Sequence, residues 1–133
     1  MRIKEETMAE VVKEASAKMS DPNYSAVPVA GFVQSQAAVA QHISSYADEL
    51  GDAEVVVNTI FHAALMGLGF QRTNNQTIRE ISFDELDKVA EGDREAQLKQ
   101  LQPALLEFLE ANVEDAAMKK VLMLIALAME WVS

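Results

Sequence analysis

Apolar positions recur at helical spacing along most of the chain, and the polar residues between them mark where each helix turns outward. From Ile3 to Met19, the residues Met8, Val11, Val12, Ala15 and Met19 share one arc of a helical wheel while Glu6, Glu10, Lys13 and Ala17 oppose them, which predicts an amphipathic helix. Ser20-Asp21-Pro22-Asn23 supplies turn chemistry, and Pro28 and Gly31 predict an irregular or extended stretch up to Ala30. Tyr24, Val27 and Val29 make that loop apolar enough to lie against the body of the protein. Phe32 to Leu50 predicts a second amphipathic helix, with Phe32, Val39, Ala40, Ile43, Ala47 and Leu50 as its stripe and Gln34, Gln41, Ser45 and Asp48 opposite.

After Gly51-Asp52, Ala53 to Phe70 predicts a helix apolar almost all round, buried on most sides, with Ala53, Ala63 and Gly67 inviting a close neighbour. Gln71 to Gln76 is a polar turn, and Thr77 to Ile81 alternates only weakly, a short extended piece rather than a sheet strand. Ser82-Phe83-Asp84-Glu85 fits a capping box, so a helix should start there and end near Gly92. From Asp93 onward, Leu98, Leu101, Leu105, Phe108 and Leu109 keep one phase across Pro103, which predicts one kinked helix. In Val113 to Val132 the only polar stripe is Asn112, Asp115, Lys119, Met123, Ala126 and Glu130. A helix so apolar must be central in a bundle or paired with a copy of itself.

The expected architecture is therefore all-α: a single domain over residues 1–133, a compact bundle of five or six helices with two central, nearly all-apolar helices. Composition agrees, since Gly, Pro and aromatic residues are scarce and helix formers dominate. No cysteine is present, which excludes disulfides, thiol catalysis and thiolate metal sites. The first residues, MRIKEETMAE, are charged and lack a secretory apolar core, and the longest uninterrupted apolar run, Val121 to Met129, is nine residues. A bilayer span needs about 20. A cytoplasmic protein with no membrane partner is the expectation.

Charge refines this picture. The formal charge of −10 argues against direct nucleic-acid binding, which needs a positive face. Met19 to Gln71 contains no Lys or Arg, whereas Glu80 to Asp115 carries eleven acids against Lys88, Arg94 and Lys99. That acidic segment admits a DNA-mimic inhibitor, with Glu85, Asp87 and Glu91 as the carboxylates to neutralise, beside the simpler reading of solvated helix faces.

Candidate chemistry is sparse. His42 and His62 stand about equally far from the Gly51-Asp52 break, so a helical hairpin would bring the rings to similar heights, yet neither has a carboxylate or second His one helical turn away. No Ser occupies a nucleophile elbow, and Ser44 and Ser45 read as capping or solvated residues. Glu49-Leu50-Gly51-Asp52, followed by Phe61-His62-Ala63, resembles the E-L-G-D helix of the all-α nucleotide pyrophosphohydrolases of the MazG and phosphoribosyl-ATP pyrophosphatase type. The resemblance implies that Glu49 and Asp52 hold Mg²⁺ together with a Glu-Glu-x-x-Glu cluster on the preceding helix. Pro22 to Ala47 contains no Asp or Glu, and the acids upstream are Glu5, Glu6, Glu10 and Glu14. The same residues also read as a helix end at Gly51, with Asp52 capping the next helix.

The methionines near the end, Met118, Met123 and Met129, suit an adaptable apolar groove or ordinary core filling. Trp131, so close to Ser133, is the best interface anchor, with Leu127 and Leu124 on the same helix as further interface candidates. The sequence thus points to a non-catalytic acidic helical protein acting through protein–protein contacts in a regulatory or assembly role, self-associating as a homodimer, with no catalytic residue and no cofactor. Its alternatives are a divergent Mg²⁺-dependent nucleotide pyrophosphohydrolase using Glu49 and Asp52, and an acidic DNA mimic.

Overall fold

The computed structural model describes residues 2–18 and 26–133. Among the described residues the chain is all-α without a strand, and it forms nine helices, more than the five or six expected. They are α1 (Glu5–Lys18), α2 (Ala26–Ser35), α3 (Ala37–Ser44), α4 (Ala47–Leu50), α5 (Ala53–Asn74), α6 (Phe83–Val89), α7 (Arg94–Leu101), α8 (Pro103–Asn112) and α9 (Ala116–Val132). The expected place of Met19 on the first stripe, the turn at Ser20 to Asn23 and the packing of Tyr24 lie outside the described residues.

The extra helices come from breaks at three points. Residues 26–35 are helical rather than irregular, because Pro28 falls in the first turn of α2, where a backbone N–H has no intrahelical acceptor to lose. The helix expected over Phe32 to Leu50 is three helices. Its first break is Gln36, at φ −131° and ψ 57°. There the side chain leaves local capping to others and reaches across the fold: Nε2 donates to the Arg79 carbonyl at 2.9 Å, and Oε1 accepts the Ile81 N–H at 2.9 Å. The extended segment 77–82 thus finds its hydrogen-bond partner in one buried amide instead of a neighbouring strand. The second break follows α3, where the Ser45 hydroxyl donates to the His42 carbonyl at 2.6 Å.

The helix expected to run kinked through Pro103 is two helices, α7 and α8. Pro103 takes the first position of α8, and Gln102 before it leaves the helical region at φ −141° and ψ 70°, since a following proline disfavours helical backbone. Gln102 is fully buried and repeats the device of Gln36, its Oε1 accepting the Ile3 N–H at 2.8 Å and its Nε2 donating to Glu130 Oε2 at 2.6 Å. The capping box at Ser82 and Glu85 forms as expected, although α6 stops at Val89, short of Gly92.

Helix α9 buries Met118 and every residue from Val121 to Met129. It is covered by α5, α6, α7 and α8, with the end of α4 against it, so the chain supplies from its own helices the neighbours that so apolar a helix needs. Each fully buried Leu or Ile, such as Leu122 and Ile125, contributes about 1.5–3 kcal/mol relative to exposure. Helix α5 is less enclosed than its composition suggests. It is long and apolar enough to span a bilayer by length and composition, but half of its most apolar stretch is inside the fold and Val57 is exposed. Of the three small residues expected to admit a close neighbour, Ala63 is buried and Ala53 is exposed. Of the two glycines it is Gly69 rather than Gly67 that is crowded: an added Cβ there would stand 2.5 Å from Met8 Sδ and 3.3 Å from Ile3 Cδ1, against 3.8 Å from Met129 Cε at Gly67.

Candidate functional site

Helices α7 and α9 lie side by side and point the same way. At one end Arg94 Nη1 donates to the Lys120 carbonyl at 3.3 Å, and at the other Gln102 meets Glu130. This parallel pair creates two distinct poles.

At the start of the pair is a cleft. One lobe, of about 630 Å³, lies between the first turns of α7 and α9 and is lined by Asp93, Arg94, Glu95, Glu114, Lys119 and Lys120. A second lobe of about 340 Å³ shares Arg94, Ala116 and Lys120 with the first and extends to His42, Tyr46 and Glu49 over a floor of Val121 and Leu124. The His42 and Tyr46 rings meet edge-on, 5.0 Å between centroids. Burial pushes the His42 imidazole below the usual histidine range, and nearby Arg94 adds to this while Asp87 opposes it. The ring is therefore neutral near pH 7, and its Nε2, closed off from solvent, has no hydrogen-bond partner among the described residues.

At the far end, Trp131 is 60% exposed and Leu101 is 41% exposed. Each is the chain neighbour of one partner in the Gln102–Glu130 hydrogen bond, so both crop out at the same end of the bundle. Arg2 docks there too, its guanidinium donating to the Gln100 carbonyl at 2.7 Å, and Lys99 is next in the chain to Gln100.

The residues singled out in the sequence separate. Leu124 and Leu127 are buried inside the chain, under the helices that pack around α9, so of the three interface candidates Trp131 alone presents surface. The histidines do not converge on one site: His62 donates through Nδ1 to the Asn58 carbonyl and lies tilted beside Phe108, 6.0 Å between centroids, whereas His42 belongs to the cleft. Gly51 ends α4 at φ +117°, and the Asp52 carboxylate accepts the Val55 N–H at 3.0 Å as the cap of α5. Glu49 stands exposed on the four-residue α4.

The upstream acids go elsewhere. Glu14 pairs with Arg72, which holds its carboxyl below the usual range. Glu5 and Glu107 line one groove at the seam of α1 and α8, and a proton shared with the Glu5 carboxyl, together with the repulsion of its charge, raises the Glu107 pKa. Among the described residues no three His, Asp or Glu side chains are grouped to hold a metal ion. A hard cation bridging phosphates wants several carboxylate oxygens, so Glu49 and Asp52 as placed do not fit the Mg²⁺ site that the resemblance implies. In the acidic segment, three carboxylates have structural roles: Glu85 closes the capping box and binds Arg79, Asp93 caps α7, and Asp115 caps α9 by accepting from Ala117 and Met118. Asp84, Asp87 and Glu91 remain exposed.

Sequence reasoning passed over Arg94 and Lys120, because nothing in their spacing announces that two helices far apart in the chain place them on one cleft. It also passed over Gln36 and Gln102, although the proline after Gln102 was a legible signal of a break. No family model, no curated protein and no solved structure matches this chain, so its function rests on the geometry of these two poles.

Proposed function

We propose that this is a non-catalytic helical protein of regulatory or assembly type that acts through protein–protein contacts and pairs with a second copy of itself at the Trp131 pole. The observation that carries this reading is the exposure of Trp131 and Leu101 together at the shared end of α9 and α7. A tryptophan is a large, stiff apolar surface, and side chains of this kind dominate the energetics of protein contacts. Charge favours the same end. Two copies each of charge −10 repel, and the contact least opposed is one where Arg2 stands beside the apolar residues. The acidic α6 is remote from it, since Asp87 acts on His42 at the cleft end.

A lasting dimer buries about 800 Å² on each partner, more than Trp131 and Leu101 alone provide, so the contact must extend along the last turns of α7 and α9. Light scattering over a concentration series tests this. The mass should rise above 14.6 kDa as protein is added, and Trp131→Ala should hold it at the monomer value. Because Trp131 is the only tryptophan, its emission should shift to the blue over the same concentrations. A species that stays at 14.6 kDa throughout, or a dimer indifferent to Trp131→Ala, refutes the proposal.

A further inference from the structure

The cleft at the other pole has no part in that contact: from Lys120 to Trp131 the axis of α9 advances about 16 Å. Its walls hold an unusual balance for so acidic a chain. The protein has 21 carboxylate residues for 11 cationic ones. Where Arg72 and Arg79 each pair with a glutamate, Arg94, Lys119 and Lys120 form no ion pair among the described residues, although Glu49, Asp93, Glu95 and Glu114 line the same cleft. Arg94 spends one donor on the Lys120 carbonyl, which leaves most of its guanidinium fork uncommitted. That same bond fixes the guanidinium beside the Lys120 backbone. The inner lobe adds an apolar floor, Val121 and Leu124, the Tyr46 ring, and the covered, partnerless Nε2 of His42.

We infer that this cleft binds a small organic anion, its phosphate or carboxylate held by Arg94 and Lys120 and its apolar body lying against Tyr46, Val121 and Leu124. Arg94 and Lys120 are the two cationic residues that line both lobes, and a guanidinium with an ammonium suits a tetrahedral or planar oxyanion. The apolar floor supplies contact area, as in most small-molecule sites, where a few polar groups fix orientation. The carboxylates on the rim make the cleft selective: an anion that misses the Arg94–Lys120 pair meets Glu49 or Glu114 and is repelled. Asp93 is already engaged as the α7 cap and does not compete for Arg94.

Phenyl phosphate, benzoate and phenol are the probes, titrated into ¹⁵N-labelled full-length protein. Phenyl phosphate should saturate with Kd on the order of 1 mM or tighter, a value typical of a small fragment. The amides of Arg94 and of residues 116–121 and the His42 imidazole should shift together. The double variant R94Q/K120Q, checked for fold by circular dichroism, should weaken binding at least tenfold, whereas Lys13→Gln on α1 should leave it unchanged. Benzoate binding more tightly than phenyl phosphate supports the site and assigns it to carboxylates, while the reverse order assigns it to phosphates. Phenol binding as well as either anion, absence of saturation, or full affinity in the double variant overturns the inference. None of these outcomes depends on the Trp131 contact.

Discussion

Replacing Gln36 by Leu keeps the volume of a side chain that is only 4% exposed and removes its polar atoms from the junction of α2, α3 and the extended segment 77–82. Two backbone groups then lose their partner, the Ile81 N–H and the Arg79 carbonyl, both bonded at 2.9 Å. A buried polar group left unpaired costs about 1–3 kcal/mol. The Ile81 N–H is sealed in the interior and bears that cost in full, whereas Arg79 is exposed and its carbonyl regains water, so the sum should be about 1–3 kcal/mol. With an unfolding entropy of about 2.1 cal/mol/K per residue, a chain of this length loses about 4–11 °C of Tm. Thermal and urea unfolding give the stability, and hydrogen exchange at the Ile81 amide locates the damage, since its protection should collapse even where the rest of the core keeps its own. A variant that melts within about 2 °C of the parent with Ile81 still protected would refute the idea that this amide ties the segment down.

Acid should act through Glu85, whose carboxyl is held down at about 2 by its bonds to Arg79 and the Ser82 cap. Since that lies below its unfolded value, its contribution is complete above about pH 4.5 and disappears as pH falls toward 2. The gap in Tm between the parent and Glu85→Gln should therefore close over that range, and a gap that stays constant excludes the linkage. Two glycines separate conformation from space. Gly51→Ala meets nothing within 4 Å but forces a side chain onto φ +117°, and should cost about 1–3 kcal/mol. Gly69→Ala is conformationally easy yet strikes Met8 Sδ and should cost about 1–3 kcal/mol, a loss that should shrink in the background of Met8→Ala, so that the double variant loses less than the sum of the two single losses. Asp115→Ala removes both capping bonds of α9 and should cost about 1 kcal/mol in urea unfolding, with fraying confined to the first turn of the helix.

What was legible in the sequence was whatever depends on neighbours a few residues apart. The stripe Met8, Val11 and Ala15, the capping box from Ser82 to Glu85 and the end at Gly51 are all settled within one or two helical turns, and each is found where its pattern places it. The break at Gln36 was not, because its cause lies 45 residues away at Ile81, and at Gln102 the local signal of Pro103 was outweighed by the apolar pattern around it. Hydrophobic phase continues across both, so periodicity reads them as unbroken. Pro28 misled in the opposite direction, a helix breaker by composition that is harmless in a first turn. The same limit applied to function. Trp131 could be suspected from the sequence, but the cleft exists only because α7 and α9 run parallel, bringing Arg94 to the Lys120 backbone.

The two buried glutamines carry a further consequence, for ionic strength. Gln36 binds only backbone groups and Gln102 anchors Ile3, so the cross-ties that join distant segments are largely made by groups that bear no charge and that added ions do not weaken. Salt does screen the mutual repulsion of a chain with net charge −10. Raising potassium chloride should thus strengthen this fold overall, with the Arg72–Glu14 and Arg79–Glu85 pairs giving up little at the surface. The amides act as charge-neutral rivets in a body whose carboxylates repel one another, and they leave its electrostatics free to be tuned from outside without taking the framework apart.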